Sequence, residues 1–210
     1  MKRTSLCSIT VAIVFLFSTT PGQDARVVTA EEAAKSALTV GAKAPSFSLK
    51  DSTGTVVESC DLLKKGNVVL VFYRGSWCPF CNTYLHKLQT RLTDINAAGG
   101  KLVAVSVENP DASAAVAKKN AVEFTVLSDP NLDLARKFGI VYQLPPKTDE
   151  QYKSMGLDVA KHNSMQKPEL PLAATYIIDK KGNITYAFIE TDYKKRAEPD
   201  VIVEQLKRLR

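Results

Sequence analysis

Metal-binding side chains are scarce in this sequence of 210 residues, which contains four cysteines and two histidines. Cys78 and Cys81 have the Cys-x-x-Cys spacing of half a zinc site, but the second half of such a site would need further ligands. His86 and His162 are far apart in the chain, and Cys60 is the one other cysteine beyond the N-terminal segment. The sequence therefore predicts no metal site.

The apolar stretch near the N-terminus is too short to span a membrane. Lys2 and Arg3 precede about twelve mostly apolar residues, 6–17, whereas a spanning helix needs about 20. This arrangement is typical of a secretory signal peptide. We predict a signal peptide over residues 1–22, with cleavage between residues 20 and 31, and an exported protein that is periplasmic or secreted. The alternative is an uncleaved membrane anchor.

A strong net charge is also absent. The formal charge of +6 falls to +4 when Lys2 and Arg3 leave with the signal peptide. Such a mild positive charge does not indicate a nucleic-acid partner. The sequence has no internal repeats, and its 45% hydrophobic content is ordinary for a globular protein. These features predict one globular domain.

The most informative stretch is an uninterrupted apolar run followed by two cysteines. Residues 68–73 read Val-Val-Leu-Val-Phe-Tyr, which is typical of a strand buried on both faces of a parallel sheet. From Cys81 to Ile95, apolar residues recur at helical spacing, and Gly99 and Gly100 follow. The pattern predicts a strand, a short turn and one continuous helix.

The predicted helix carries Cys78 and Cys81 in its first turn. Unpaired N–H groups there have partial positive charge and stabilise a thiolate over a thiol. Two cysteines in one turn are also close enough to form and break a disulfide without large backbone movement. We expect Cys78 to be the more exposed sulfur, because Cys81 shares the apolar stripe. A purely structural disulfide is the alternative, although it would constrain little of the chain.

The rest of the chain alternates between short strands and helices. Turn residues at 51–54 separate two short runs and predict a β-hairpin before the buried strand. We expect a poorly ordered lead-in over residues 24–45 and a long connection over residues 142–170. Cys60 is expected to be a small buried residue, with a role as a resolving thiol as the alternative. The order of elements predicts an α/β fold around a mixed sheet.

These motifs resemble the thioredoxin superfamily over roughly residues 40–210. Residues 72–81, Phe-Tyr-Arg-Gly-Ser-Trp-Cys-Pro-Phe-Cys, are similar to the active-site segment of the peroxiredoxin-like branch of the alkyl hydroperoxide reductase and thiol-specific antioxidant family. Residues 124–130 and 174–184 resemble two further segments of that family. The resemblance implies a thioredoxin-like fold with a mixed central sheet, helices on both faces and an N-terminal β-hairpin.

The resemblance also implies roles for single residues. The proline of the family's active-site motif falls on Arg74, its threonine on Cys78 and its peroxide-attacking cysteine on Cys81. Cys81 would then attack a hydroperoxide and form a redox disulfide with Cys78, which an external thioredoxin-like dithiol would reduce. Arg74 and Trp77 are candidate supporting residues. Near the strand that corresponds to the family's peroxide-holding arginine, this chain has Ala173.

Two other functions fit the same residues. One is a thioredoxin-like thiol-disulfide oxidoreductase acting on protein disulfides, with Cys78 attacking and Cys81 resolving. The other is a copper-binding module, because soft thiolates suit Cu(I), although no histidine stands at a matching position. We interpret the chain as a thiol-dependent antioxidant oxidoreductase that reduces hydroperoxides and requires no metal or organic cofactor.

Export can be tested on the protein isolated from its native cells. We expect a soluble mature chain outside the cytoplasm that lacks at least residues 1–19, because the short apolar core directs secretion and is then removed. Mass spectrometry of the N-terminal peptide measures the cleavage position. Recovery of the intact chain with the membranes would contradict this prediction.

Overall fold

A computed structural model describes residues 27–209, so the predicted signal peptide over residues 1–22 lies outside the described residues. The strands are β1 Ser48–Asp51, β2 Val56–Glu58, β3 Asn67–Phe72, β4 Gly100–Ser106, β5 Thr125–Ser128, β6 Val141–Gln143, β7 Glu169–Pro171, β8 Ala173–Ile178 and β9 Ile184–Glu190. Seven of them form one sheet in the order β2-β1-β5-β4-β3-β8-β9, and β6 pairs with β7 in a second, two-stranded sheet.

Helices follow most of the strands. They are α1 Ala30–Ser36, α2 Ser59–Lys65, α3 Pro79–Thr90, α4 Leu92–Ala97, α5 Pro110–Lys119, α6 Asp133–Lys137, α7 Pro146–Ser154, α8 Val159–His162 and α9 Pro199–Lys207. None of these helices is long and apolar enough to cross a membrane.

Strand β3 is the element on which both hydrophobic cores are built. All six of its residues are buried, and their side chains point alternately to the two faces of the sheet. Leu70 and Phe72 belong to one core together with Phe138. Val71 belongs to the other core, where Leu88 of α3 packs. The apolar run therefore forms a strand that is covered on both faces, as predicted.

The sheet is mixed. β3 pairs in parallel with β4, which pairs in parallel with β5, while β8 runs antiparallel to β3. The thioredoxin-like α/β fold with helices on both faces is confirmed, and so is the N-terminal hairpin of β1 and β2. Because the chain leaves β3 at the middle of the sheet, the segment with the two cysteines starts at the centre of the fold.

The helix after the cysteines is shorter than predicted. α3 ends at Thr90, and Arg91 leaves the helical conformation with φ −109° and ψ 7° before α4 begins. Leu85 and Leu88 of α3 and Ile95 of α4 nevertheless pack in the same core. The apolar spacing identified the buried face correctly, but it carries no information about a break in the hydrogen-bonded ladder.

The predicted lead-in also differs from the structure. Residues 30–36 form α1, which begins with a capping box between Thr29 and Glu32, and Ala33 packs in the core that contains Phe72. The capping sequence contained this information. Short length and alanine-rich composition hid the apolar face of the helix.

The long connection predicted over residues 142–170 contains regular structure. We call residues 141–171 the insertion: it comprises β6, α7, α8 and β7, and its two strands pair with each other. The insertion places α7 and α8 next to the cysteine-bearing segment.

Cys60 is exposed in α2, so the prediction that it is buried is wrong. The residue of α2 that is buried is Leu62. Cys60 lines a small cleft with Val68 at the beginning of β3, whereas Cys78 follows the end of that strand. The structure therefore places Cys60 near one end of β3 and the cysteine pair beyond the other end, about 16 Å away by the rise of a six-residue strand.

The assignment of the buried face can be tested by truncating one leucine. Leu88→Ala should lower the free energy of unfolding by about 2 to 5 kcal/mol, because it leaves a cavity under the sheet. Thr90→Ala, at an exposed position of the same helix, is the control and should change it little. Urea melts of both variants measure the difference. Equal losses at the two positions would contradict the assignment.

Candidate active site

The loop of residues 73–78 connects β3 to α3. Cys78 is the N-cap of α3, and Pro79 opens the helix, where its missing N–H breaks no hydrogen bond. Gly75 is required here, since its φ is +146° and a Cβ atom would lie 2.6 Å from Nε1 of Trp77. The structure therefore places Cys78 at the N-terminus of α3 and Cys81 in its first turn.

Both sulfurs are hidden from solvent. Cys78 is 1% exposed and Cys81 is 0% exposed, so Cys78 is the more exposed sulfur by a negligible margin and both thiols are buried. Both residues belong to the core that contains Tyr73, and Trp77 and Tyr193 pack against it. The helical spacing of apolar residues could not predict that Tyr193 packs against the core around the sulfurs, because Tyr193 comes from a distant part of the chain. Either a reactant is small or side chains around the pair must move.

A hydrogen bond between the two thiols separates their pKa values. The pKa of Cys78 is lowered to about 6, first because Cys81 donates this hydrogen bond and further because Arg74 and Arg196 are positively charged, while burial acts in the opposite direction. Burial raises the pKa of the Cys81 thiol well above its usual value, and the bond to Cys78 also holds its proton. The reduced pair therefore carries its negative charge on Cys78.

Arg74 is a buried cation surrounded by aromatic rings, and it is only 2% exposed. Its guanidinium carbon lies 4.1 Å from the ring centroid of Tyr193, 4.8 Å from that of Trp77 and 5.5 Å from that of Tyr152. Nη2 also donates a 2.8 Å hydrogen bond to the Tyr152 hydroxyl. Cation–π contacts of this kind stabilise a desolvated charge, so Arg74 remains charged beside Cys78.

Arg196 reaches the pair from the segment before α9. Its Nη2 lies 3.3 Å from Sγ of Cys81, and its Nη1 donates a 3.4 Å hydrogen bond to the carbonyl of Phe72. Its Nε–H is buried and has no partner among residues 27–209. A guanidinium with a free N–H beside two sulfurs can stabilise a thiolate and can also donate to a small oxygen-containing reactant.

The described residues contain no cluster of three or more histidine, cysteine, aspartate or glutamate side chains that could hold a metal ion. His86 is exposed on α3. His162, for which the sequence indicated no role, contacts Glu108 in the connection that follows β4. The side chains that meet at the site include two thiols, Cys78 and Cys81, and the guanidinium groups of Arg74 and Arg196.

Comparison with known proteins identifies the family of this chain. The sequence profile of the AhpC/TSA family matches residues 40–187, which is more than half of the chain. The chain belongs to the AhpC/TSA family. The predicted resemblance to the peroxiredoxin-like, thioredoxin-superfamily proteins is thereby confirmed.

Two curated relatives of this AhpC/TSA protein carry peroxiredoxin names. Peroxiredoxin Bcp of Escherichia coli K12 is 27% identical over 171 residues, which cover 81% of this chain and 96% of that protein. Chloroplastic peroxiredoxin Q of Populus jackii is 26% identical over 169 residues, covering 80% of this chain and 66% of that protein. The crystal structure of peroxidoxin BcpB from Mycobacterium tuberculosis superposes with a TM-score of 0.66 at 21% identity, covering 82% and 99% of the two chains.

Sequence reasoning missed three groups that this AhpC/TSA protein brings to the loop. Arg196 is 115 positions from Cys81, and Tyr152 is 78 positions from Arg74. Glu108 follows β4 by two residues, and the sequence alone does not show that this acidic side chain is buried. The signal for Arg196 was weak as well, because it stands in the basic run that begins at Lys194.

The contribution of Arg74 to the thiolate can be measured. Because the pKa of Cys78 is about 6, the thiolate persists at neutral pH and is protonated as the pH falls through that value. Arg74→Met removes the positive charge while keeping an unbranched apolar stem, so it should move the midpoint of the alkylation rate to higher pH. The pH dependence of iodoacetamide labelling in a Cys60→Ser background measures this shift.

The matched control for this experiment is Arg208→Met, at an exposed arginine near the end of α9. It should leave the midpoint unchanged. An unchanged midpoint in Arg74→Met as well would show that Arg74 does not contribute to stabilising the thiolate.

Proposed function

We propose that this thiol peroxidase of the AhpC/TSA family reduces hydroperoxides through Cys78 and Cys81, and that an external thioredoxin-like dithiol restores the pair. One observation carries the proposal: two buried thiols lie beside guanidinium groups, with Nη2 of Arg196 3.3 Å from Sγ of Cys81, and the hydrogen bond from Cys81 and the charges of Arg74 and Arg196 lower the pKa of Cys78. A thiolate that is stable at neutral pH is the nucleophile that attack on a peroxide needs.

The reaction balances with the groups at the site. The Cys78 thiolate, whose proton has gone to solvent, attacks the terminal oxygen of ROOH. The O–O bond breaks, Cys78 becomes a sulfenic acid, and RO⁻ takes a proton back from solvent and leaves as ROH. The Cys81 sulfur then attacks the sulfenic sulfur, releases water and closes the Cys78–Cys81 disulfide. Two thiols and one hydroperoxide thus give one disulfide, one alcohol and one water. An external dithiol reopens the disulfide by exchange.

Arg196 has the position to assist bond cleavage. Negative charge develops on the leaving oxygen as the O–O bond lengthens, and a preorganised positive group in a desolvated site stabilises that charge strongly. The buried Nε–H of Arg196 has no protein partner within residues 27–209, and we propose that it donates to the leaving oxygen of the peroxide. Its Nη2 stays beside Cys81.

The order of attack proposed here is the reverse of the order that the family motif implies. The motif places the peroxide-attacking cysteine on Cys81, but burial and its hydrogen bond to Cys78 keep the proton on Cys81. Cys78 has the lowered pKa and stands at the helix N-terminus, where partial positive charge favours an anion. We therefore assign the attack to Cys78 and the resolution to Cys81.

Burial of the sulfurs favours a small substrate over a protein disulfide. With Cys78 1% exposed and Cys81 0% exposed, a disulfide of another protein cannot approach either sulfur in line unless the surrounding side chains move. A hydroperoxide is much smaller than a protein disulfide and therefore needs the smaller displacement of the surrounding side chains. We also propose that the protein acts outside the cytoplasm, periplasmic or secreted, on the support of Lys2, Arg3 and apolar residues 6–17.

Single cysteine variants test both the function and the order of attack. Cys81→Ser should consume one equivalent of hydrogen peroxide and stop as a sulfenic acid that dimedone traps, because its resolving thiol is missing. Cys78→Ser should react no faster than a free, unactivated thiol. Stopped-flow fluorescence of Trp77 follows the wild-type reaction, and mass spectrometry counts the trapped adduct.

The other outcomes are equally informative. Rapid peroxide consumption by Cys78→Ser, with the adduct on Cys81, would reverse the proposed order and support the role that the family motif implies. If wild-type protein reacts with peroxide only at the rate of a free thiol, while Cys81→Ser accumulates mixed disulfides with oxidised proteins, the protein is a disulfide exchanger and the proposed function is wrong.

A further inference from the structure

Glu108 is a buried carboxylate for which the proposed reaction has no use. It follows β4 by two residues and is 1% exposed. Its Oε2 accepts a 2.7 Å hydrogen bond from the Ser76 N–H, and its Oε1 accepts a 2.6 Å hydrogen bond from the Ser76 hydroxyl. His162 Nε2 lies 3.0 Å from the same Oε1. All three partners converge on one carboxylate.

Such an arrangement is costly unless it is fully satisfied. A buried carboxylate loses its hydration and is tolerated only where donors replace the water. Here the donors come from the loop after β3 and from α8 of the insertion, while the carboxylate belongs to the end of β4. Glu108 therefore ties three segments that are far apart in the sequence.

The hydrogen bonds of Glu108 hold the loop that carries the Cys78 thiolate. Ser76 is two residues before Cys78, and its carbonyl accepts a further 2.8 Å hydrogen bond from Nδ2 of Asn82. The Glu108 carboxyl also packs against the loop backbone: a Cβ on Gly75 would lie 3.1 Å from its carboxyl carbon. Ser76 is thus held on both its N–H and its carbonyl side. Release of Glu108 would free the turn between Arg74 and Cys78.

We propose that Glu108 and His162 are positioning residues: Glu108 holds the loop through Ser76, and His162 holds Glu108, so that Arg74 and Trp77 stay against Cys78. This inference rests on the proposed function, since its consequence is a faster attack on peroxide. Neither residue touches a sulfur or a reactant. His162 is the accessible member of the unit, with a side chain that is 37% exposed, whereas that of Glu108 is 1% exposed.

Variants of His162 test the inference, all made in the Cys60→Ser background so that the exposed thiol adds no signal. His162→Ala removes the donor and should slow peroxide reduction by about tenfold, within the range expected for misplacement of a reacting group. It should also raise the midpoint of Cys78 thiolate formation, followed by ultraviolet absorbance. His162→Gln keeps an N–H at a similar reach and should restore both values in large part. His86→Ala, on the exposed face of α3, is the control and should change neither.

A second variant tests the same inference in case His162→Ala does not fold. Ser76→Ala removes one donor to Glu108 but keeps the Ser76 N–H, so it should shift rate and midpoint in the same direction by a smaller amount. Thermal melts establish that each variant is folded. A folded His162→Ala with wild-type rate and wild-type thiolate midpoint would overturn the inference, as would a loss that His162→Gln does not restore.

The test separates this inference from the proposed function. If wild-type protein does not reduce peroxide, the proposed function fails, yet the thiolate midpoint still reports whether His162 and Glu108 position the loop. A normal peroxide reaction with no effect of His162→Ala on either readout fails the positioning role alone.

Discussion

The hydrogen bond between the two buried thiols is the interaction on which the site depends. It puts one negative charge on Cys78 in a place that water does not reach. A desolvated anion needs compensation by fixed charges or donors, and Arg74 and Arg196 supply it. Arg74 is itself buried, and three aromatic rings take the place of its hydration. Removing any of these groups would affect the others.

The fold builds this arrangement by converging distant segments on the end of one central strand. β3 delivers Arg74 and the cysteine loop, the insertion delivers Tyr152 and His162, and the segment before α9 delivers Tyr193 and Arg196. The insertion covers Arg74 and Trp77 through Tyr152, whereas Trp77 and Tyr193 pack against the core that holds the sulfurs. Family members that share the central sheet can therefore differ in reactivity through residues that lie outside the cysteine motif.

Local sequence patterns predicted most of the fold. The apolar run of β3, the helical spacing after Cys81 and the turn residues at 51–54 each describe a short stretch whose burial follows from periodicity. The failures have one cause in common. The break at Arg91 and the exposure of Cys60 depend on what packs against an element, and a single segment does not contain that information.

By itself, the sequence determined an α/β domain with two cysteines at the start of a helix, because strand period, helix period and Cys-x-x-Cys spacing are local properties of the chain, and its motifs resembled the thioredoxin superfamily. Only the tertiary structure distinguishes the two sulfurs, because it lowers the pKa of Cys78 and raises that of Cys81. The pKa of each thiol depends on its burial, on the hydrogen bond between the two thiols and on Arg196, which is 115 positions from Cys81 in the sequence. These contacts exist only once distant segments are packed together.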